Sequence, residues 1–349
     1  MPADSLPEKD PVPCPLCACM SLFARLLCPP LSVALCVVAG SVGAAEPALL
    51  RVNVFPGAQN LPLYVGLSQG IFERRGLKVD LQFTPNSQDQ RSGLATGKFE
   101  IAHAAVDNAV AMVELAQQDV IIVMGGDSSM NEFFVQADVP SVGALAGQTL
   151  LVDAPNTAYA LQAKKILLNH GLKAGDYVVK PVGGTAVRMK ALVGRQGEAA
   201  ILNIPFSIIA RDQGVKSLGR TVDLLGPYQA TGAFVMRSWG QANGPLLERY
   251  LAAYVEALRW ALNPANRAEC TTLLAKWLNL DPAVAGQTFD LLLQPKFGLT
   301  PDARFDLEGF KALLALRAEI EGQWGGKPPA PERYYDLQYY QRALKSLDR

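Results

Sequence analysis

Histidine is scarce in this sequence, which has only two histidines among its 349 residues. That scarcity leaves little for a zinc site or a catalytic triad, because both depend on imidazole groups. The chain also lacks the G-x-S-x-G nucleophile elbow, the H-E-x-x-H zinc motif, the P-loop lysine motif and the dinucleotide glycine fingerprint. These absences argue against an enzyme, and we expect neither a metal nor a cofactor.

A surplus of positive charge is also absent, since 32 basic residues balance 32 acidic residues and the isoelectric point is about 6.7. Because phosphate binding requires a basic surplus, nucleic acid is not expected as the main partner. General disorder is excluded as well, because half of the residues are apolar and only 18% are charged. The composition indicates a neutral, globular α/β protein, which we expect to be a monomer.

The first 45 residues have the composition of an export leader. Residues 1–19 are polar and acidic, so Met20 is the expected start of translation. Residues 26–39 are apolar, and residues 43–45 supply small side chains at a cleavage position. The apolar run is shorter than the roughly 20 residues of a membrane span. The sequence therefore predicts a cleaved signal peptide and a periplasmic protein that begins at Glu46.

Cysteine is almost absent after that cleavage point, where Cys270 alone remains. The other five are Cys14, Cys17, Cys19, Cys28 and Cys36. No disulfide can form within one mature chain. Because Cys270 lies in an apolar helical stretch, we expect it to be a small buried hydrophobic residue rather than a nucleophile.

From residue 51 onward, strand and helix patterns alternate. Strands are predicted over 51–55, 77–83, 101–105 and 120–124, and helices over 61–69, 88–96 and 108–117. This alternation within about 75 residues is typical of a parallel sheet that is covered by helices.

A second alternating unit follows the first. Its predicted strands cover 149–152, 177–181 and 199–202, and its predicted helices cover 157–169, 186–193 and 205–212. Five amphipathic helices then follow, over 246–262, 265–278, 282–293, 305–321 and 335–347. We expect two lobes, lobe one from 46–135 with 230–349 and lobe two from 136–229. Extended segments over 132–137 and 229–236 are expected to cross between them.

Short runs near the start of the mature chain resemble a known family. They are LPLYVGL (61–67), GIF (70–72), GLKVD (76–80) and LATGKFEIA (94–102), the last with Glu100 where the family pattern L-x-x-G-x-x-D-I-A has aspartate. The chain resembles periplasmic solute-binding proteins of the nitrate, sulfonate, taurine and thiamine-pyrimidine-precursor group, also called SsuA/THI5-like. The similarity is dense over 51–110 and diffuse elsewhere.

The resemblance implies a type II periplasmic-binding-protein fold, in which two α/β lobes are joined by two crossings and the ligand lies between them. It also implies a substrate-binding protein of an ABC importer, whose lobes close by hinge motion and then dock on a membrane permease. Two alternatives stay open: a ligand-sensing periplasmic protein for a membrane kinase, and a pyrimidine-precursor synthase-like enzyme. The cysteine cluster of that enzyme is absent from the mature chain.

The residues themselves also predict a site between the lobes, because ligands of open α/β sheets bind beyond the carboxyl ends of the strands. Loops at those ends supply polar and aromatic candidates. In lobe one these are Gln59, Asn60, Tyr64, Asp107, Asn108 and Asn131, and in lobe two Asn156, Thr157, Gly184, Thr185, Asn203 and Phe206. Helix starts at 108, 157 and 185 offer backbone N–H groups that suit an anion.

Each candidate also has a structural alternative. Helix capping would explain Asp107 and the pair Asn156-Thr157, and packing would explain Tyr64 and Phe206. In the ligand-binding interpretation of Asp107, its carboxylate accepts a hydrogen bond from an amine, ring N–H or hydroxyl of the ligand.

The cleft loops contain no arginine of the kind that clamps a dianion, and Arg188 with Lys190 is expected on a solvated helix face. The expected ligand is therefore a small heteroaromatic or amino-bearing solute, with a sulfonate or carboxylate as the second candidate. His103 lies within a predicted strand, and we expect it to be a core histidine with its hydrogen bonds satisfied.

Overall fold

Two five-stranded sheets organise residues 46–348, the part of the chain that this computed structural model describes. The predicted leader and its cleavage position lie outside the described residues. The strands are β1 (Ala48–Val54), β2 (Leu77–Phe83), β3 (Ile101–Ala105), β4 (Val120–Met124), β5 (Asn131–Val135), β6 (Thr149–Val152), β7 (Val178–Pro181), β8 (Ala199–Asn203), β9 (Lys216–Arg220) and β10 (Thr231–Met236). The first sheet has the order β2-β1-β3-β10-β4, and the second has the order β7-β6-β8-β5-β9.

Helices cover both sheets. In chain order they are α1 (Leu61–Ser68), α2 (Ile71–Arg74), α3 (Ser87–Ala95), α4 (Asp107–Ala116), α5 (Ala158–Asn169), α6 (Thr185–Val193), α7 (Phe206–Asp212), α8 (Thr221–Leu225), α9 (Arg237–Ala242), α10 (Gly244–Ala261), α11 (Arg267–Leu278), α12 (Pro282–Leu292), α13 (Leu307–Glu321) and α14 (Gln338–Leu347). The predicted alternation is confirmed, with ends that differ by three residues at most. Within residues 46–348, no helix has the length and apolar character needed to cross a membrane.

The sheets are mixed rather than parallel, which corrects the sequence-based expectation. Strand β1 runs parallel to β2 and β3, and β6 runs parallel to β7 and β8. Strand β10, however, is antiparallel to both β3 and β4. Strand β5 is likewise antiparallel to β8 and β9. Each sheet therefore contains one inner strand that runs against its neighbours.

The crossing segments that were predicted over 132–137 and 229–236 are largely these two inner strands, so the crossings lie elsewhere. Strand β5 pairs with β8 along its whole length, from Asn131 with Asn203 to Val135 with Ala199. It therefore lies in the second sheet, although residues up to 135 were assigned to lobe one. The chain passes between the sheets at 125–130 and again at 226–230. We take lobe one as the first sheet with α1–α4 and α9–α14, and lobe two as the second sheet with α5–α8.

Alternation along the inner strands places apolar side chains on both faces of each sheet, as strand geometry requires. In β5, Phe133 packs in the cluster on one face and Phe134 in the cluster on the other. Cys270 is fully buried in the core of lobe one, as predicted. Burial raises the pKa of its thiol to about 12, so the side chain is a neutral, apolar group.

Candidate functional site

A cavity lies between the two lobes at the carboxyl ends of the parallel strands. The space between its walls, counted to its mouth, is about 520 Å³. Its walls are formed by Phe55, Pro56, Gln59, Ser87, Ala104, Ala105, Asn108 and Thr231 from lobe one, and by Asp153, Thr157, Ala158, Tyr159, Gly184, Thr185, Arg188 and Asn203 from lobe two. Both lobes contribute equally, so the cavity exists only where they meet.

The strand ends explain how these side chains converge. Phe55 follows β1, Asp153 follows β6, and Asn203 is the last residue of β8. The first residues of α4, α5 and α6 face the same space, because each of these helices begins shortly after a strand ends. This arrangement is the one expected of ligand sites in open α/β sheets.

Six of the twelve candidate residues line this cavity: Gln59, Asn108, Thr157, Gly184, Thr185 and Asn203. The hydroxyl of Thr157 donates to the carbonyl of Ala154 at 3.0 Å and caps no backbone N–H of α5. The other six candidates lie outside the cavity wall. They are Asn60, Tyr64, Asp107, Asn131, Asn156 and Phe206.

Local packing accounts for four of those six. Asn60 donates to the backbone carbonyl of Phe55 at 2.7 Å, and Tyr64 stacks on Trp277 with ring centroids 4.8 Å apart. Asn131 donates to the side-chain oxygen of Gln162 at 3.3 Å. Phe206 packs in the core of lobe two. The packing alternative therefore describes both Tyr64 and Phe206.

Asp107 forms a buried ion pair instead of facing the cavity. Its carboxylate accepts a hydrogen bond from the guanidinium of Arg317, and the two side chains are 1% and 0% exposed. Burial lowers the pKa of Arg317, but the carboxylate of Asp107 outweighs that effect and the net shift is upward. Asp107 lies in the first turn of α4 after the N-cap Val106, and no side-chain hydrogen bond caps this helix. Asn156 also contacts Arg317, through its carbonyl oxygen at 3.4 Å.

Arg188 lines the cavity, although sequence reasoning placed it on a solvated face. It is 1% exposed, and it donates to the carbonyls of Ile201 (3.0 Å) and Gly183 (2.8 Å) and to the hydroxyl of Thr185 (3.0 Å). The guanidinium lies 5.2 Å from the ring centre of Tyr159. Burial lowers the pKa of Arg188, and the negative charge of Asp153 opposes that shift without outweighing it.

Asp153 is a cavity residue that sequence reasoning missed, although its position directly after β6 is the available signal. One of its carboxylate oxygens accepts from the hydroxyl of Ser87 across the cleft at 2.5 Å. The other oxygen is buried and has no hydrogen-bond partner within residues 46–348. Buried side-chain oxygens of Gln59, Asn108 and Asn203 share that condition. Four residues of the cavity wall thus each carry a buried side-chain oxygen that no group within residues 46–348 satisfies.

The glycine pair at 183–184 brings the backbones of the two lobes together. Gly183 has a φ of +97°, which favours glycine, and Gly184 N–H donates to the carbonyl of Pro85 at 3.1 Å. A Cβ at position 184 would lie 2.8 Å from that carbonyl oxygen. The absence of a side chain at position 184 therefore permits a close approach to the backbone of the opposite lobe.

Histidine, cysteine, aspartate and glutamate do not form a cluster of three that would hold a metal ion anywhere in residues 46–348. Two aromatic residues, Phe55 and Tyr159, lie in the cavity wall together with its polar side chains.

Two α/β lobes with a cavity between them define the periplasmic binding-protein class. Solved structures of that class are similar over most of their length. They include the ligand-binding component of an ABC-type import system from Staphylococcus aureus, solved with zinc bound (12% identity, TM-score 0.70, 85% of this chain and 99% of that chain). The periplasmic aliphatic sulphonate-binding protein SsuA from Escherichia coli is also similar (20% identity, TM-score 0.65, 84% of this chain and 100% of that chain). A third similar structure is the periplasmic nitrate-binding protein NrtA from Synechocystis PCC 6803 (12% identity, TM-score 0.73, 87% of this chain and 90% of that chain).

The family follows from the sequence. The NMT1/THI5 like family model matches residues 58–268, which is more than half of the chain, and the protein belongs to that family. The expected type II periplasmic-binding-protein fold is thereby confirmed. No curated protein sequence matches the chain.

Proposed function

We propose that this protein is the extracytoplasmic solute-binding component of an ABC importer. The interlobe cavity carries the proposal, because its walls come from two lobes that two short crossings join. Such an architecture allows the lobes to close on a solute by hinge motion and to present a closed form to a membrane permease. Structural neighbours with this role are periplasmic, and the leader-like residues 1–45 agree with export.

The cavity chemistry favours a small planar solute that donates hydrogen bonds. Four residues of its wall, Gln59, Asn108, Asp153 and Asn203, each carry a buried oxygen without a donor in the described residues, and two aromatic rings also line it. Amide groups can be turned so that either end faces the ligand, but the carboxylate of Asp153 can only accept while it is ionised. A heteroaromatic or amino-bearing solute meets both requirements.

An anionic solute is the second candidate, and Arg188 supports it. This buried cation lines the cavity, and α5 and α6 begin there. A sulfonate or carboxylate would be attracted by that charge and by the free N–H groups of the helix starts. The donors of Arg188 already serve two carbonyls and one hydroxyl, however, which limits a bidentate clamp.

Calorimetric titration with two solute panels, aminopyrimidines and alkanesulfonates, separates the candidates. If Asp153 accepts from the solute, Asp153→Asn lowers the affinity for an aminopyrimidine by about 10- to 100-fold, the usual value of a charge-assisted hydrogen bond. The matched control is Asp212→Asn, since Asp212 is exposed in the same lobe. Sulfonate binding that Asp153→Asn leaves unchanged or strengthens would favour the anionic candidate instead. Binding from neither panel would contradict both.

Uptake distinguishes an importer component from a sensor or an enzyme. Loss of the gene should abolish uptake of the identified solute by whole cells, and the purified protein should return that solute unaltered. A sensor for a membrane kinase would leave uptake intact while changing the transcriptional response. Chemical conversion of the solute by the purified protein would instead indicate the enzyme alternative.

A further inference from the structure

Helix α13 belongs to lobe one, but charged side chains of its C-terminal half contact lobe two. Glu319 pairs with Lys165 at 2.5 Å, and Glu321 pairs with Lys164 at 2.8 Å. Both lysines lie on α5, the helix whose first residues line the cavity. Two ion pairs therefore cross between the lobes at one end of the cleft.

The backbone of the loop over 153–157 accepts hydrogen bonds from one charged side chain of each lobe. Lys164 donates to the carbonyl of Pro155 at 2.8 Å, and the guanidinium of Arg317 donates to the carbonyl of Asn156 at 3.4 Å. This loop supplies two side chains of the cavity wall. Its backbone position consequently depends on charges outside the cavity.

Arg317 is itself fixed within lobe one. Its guanidinium donates to Asp107 and, through Nε, to the side-chain oxygen of Gln323 at 2.8 Å. Both partners belong to lobe one. They therefore fix the orientation of the guanidinium, which also donates to the Asn156 carbonyl of lobe two. A fully buried, doubly held arginine is a rigid point of attachment, unlike a free surface side chain.

We propose that Arg317 is a positioning residue for the ligand cavity and that it acts through the backbone of Asn156. Together with Glu319 and Glu321 it forms a set that we name the α13 clasp. The clasp holds the 153–157 loop against lobe one and places Asp153 and Thr157 at the cavity. The inference rests on the proposed function only in treating this cavity as the ligand site, and its test requires no ligand.

Hydrogen exchange of the full chain, followed by mass spectrometry, reports the clasp directly. The double variant Glu319→Gln with Glu321→Gln removes the two ion pairs, and exposed pairs of this kind contribute modestly each. Amides of the 153–165 region, and the Gly184 amide that bonds to Pro85 of the other lobe, are expected to exchange about two- to tenfold faster. Sodium chloride at about 0.5 M should accelerate exchange there in the natural protein but not in the variant.

Glu308→Gln is the matched control, because Glu308 pairs with Lys311 at 2.8 Å on the same helix without crossing the cleft. Its exchange over 153–165 should equal that of the natural protein. Equal exchange in the double variant and in this control would overturn the clasp. Faster exchange over the whole chain in the double variant would also overturn it, because the two ion pairs would then stabilise the fold as a whole and not this loop.

Arg317 is tested with a variant that leaves no buried charge behind. The double change Asp107→Asn with Arg317→Met removes both charges, whereas Asp107→Asn alone keeps the arginine and its contact to Asn156. Exchange over 153–157 should rise more in the double variant than in the single one, after correction for the urea midpoint of each. Equal loop exchange in the two variants would show that Arg317 positions nothing. Solute titration would remain a separate measurement, so failure of the clasp is distinguishable from failure of the proposed function.

Discussion

His103 illustrates how burial alone sets the chemistry of a single residue. It lies in β3, its Nε2 is 2.8 Å from the hydroxyl of Tyr250, and its ring stacks on Tyr254 with centroids 4.9 Å apart. Burial lowers the pKa of the imidazole to about 3, so the folded protein holds it neutral at every ordinary pH. The expectation of a satisfied core histidine is confirmed.

The shift has a consequence for stability in acid. An unfolded histidine takes up a proton near pH 6.5, whereas the folded protein does not until about pH 3. The unfolded state therefore binds about one proton more than the folded state in this window. As the pH falls through it, His103 lowers the free energy of unfolding by about 1.4 kcal/mol per pH unit. Urea unfolding at several pH values between about 6.5 and 4.5 gives the free energy of unfolding as a function of pH. In His103→Gln this free energy should fall less steeply toward acid pH, by the amount that corresponds to about one proton.

The only other histidine provides the control for that measurement. His170→Gln makes the same substitution at an exposed position, the end of α5, and so controls for the loss of a histidine as such. An acid slope that is the same in His103→Gln and in the natural protein would refute the assignment of the proton to His103.

Residue-level prediction succeeded where local sequence decides and failed where distant residues decide. Gln59, Asn108 and Asn203 reach the cavity because each lies at or just after a strand end, which periodicity locates well. Asp107 was expected there for the same reason, but its partner Arg317 lies 210 residues away. No local pattern contains that pairing.

Arg188 shows a signal that was available but not used. It lies three residues after Thr185 and four before Leu192, both of which face inward from α6. Residues at these spacings share a helix face, so the helical periodicity already placed Arg188 on the buried side. Charge alone had assigned it to solvent.

At the scale of elements, the inner strand β10 depends on one glycine. Gly232 pairs with Ala104 of β3, and a Cβ at position 232 would lie 2.4 Å from the backbone carbonyl oxygen of Met124 in β4. A backbone atom cannot move aside as the end of a flexible side chain can. The returning strand therefore fits between β3 and β4 only because this residue lacks a side chain.

Gly232→Ala should accordingly reduce the free energy of unfolding by about 1–3 kcal/mol, the usual cost of overpacking. Urea denaturation measures the change. The control is Gly143→Ala, where the nearest atom to a new Cβ is the hydroxyl of Ser141 at 3.9 Å, and it should change stability by less than about 0.5 kcal/mol. Equal stability of the two variants would mean that the sheet widens at Gly232 without cost.

Elements were easier to predict than their arrangement. The strands over 77–83, 101–105, 120–124 and 149–152 have the predicted limits. The two inner strands were instead taken as crossing segments, because a buried apolar run carries no mark of which sheet it joins. Strand β9 was not predicted at all, and its residues, KSLGR, lack an apolar alternation.

At the scale of the whole molecule, contacts on several sides of the cavity hold the lobes together. Besides the α13 clasp, Ser87 donates to Asp153 and Gly184 donates to Pro85 across the cleft. Arg220 of lobe two donates to the side-chain oxygen of Gln294 at 2.8 Å. Apolar side chains meet there as well, since Ala158 and Leu161 of α5 pack in a cluster of lobe-one residues. The polar links compete with water when no solute fills the cavity. Without a ligand the lobes are therefore expected to open and close around these contacts, and a bound solute is expected to keep them closed.

Small-angle scattering tests this closure with the solute that calorimetry identifies. The free protein should have the larger radius of gyration, and saturation should reduce it, because a bound solute contacts both walls of the cavity at once. Binding that favours the closed form should also stabilise the fold by about 2.7 kcal/mol at a hundredfold excess over the dissociation constant. The clasp double variant, Glu319→Gln with Glu321→Gln, should start from a more open free state and reach the same closed one, since its cavity wall is intact. A radius of gyration that saturation leaves unchanged in both proteins would replace the hinge with a rigid pocket.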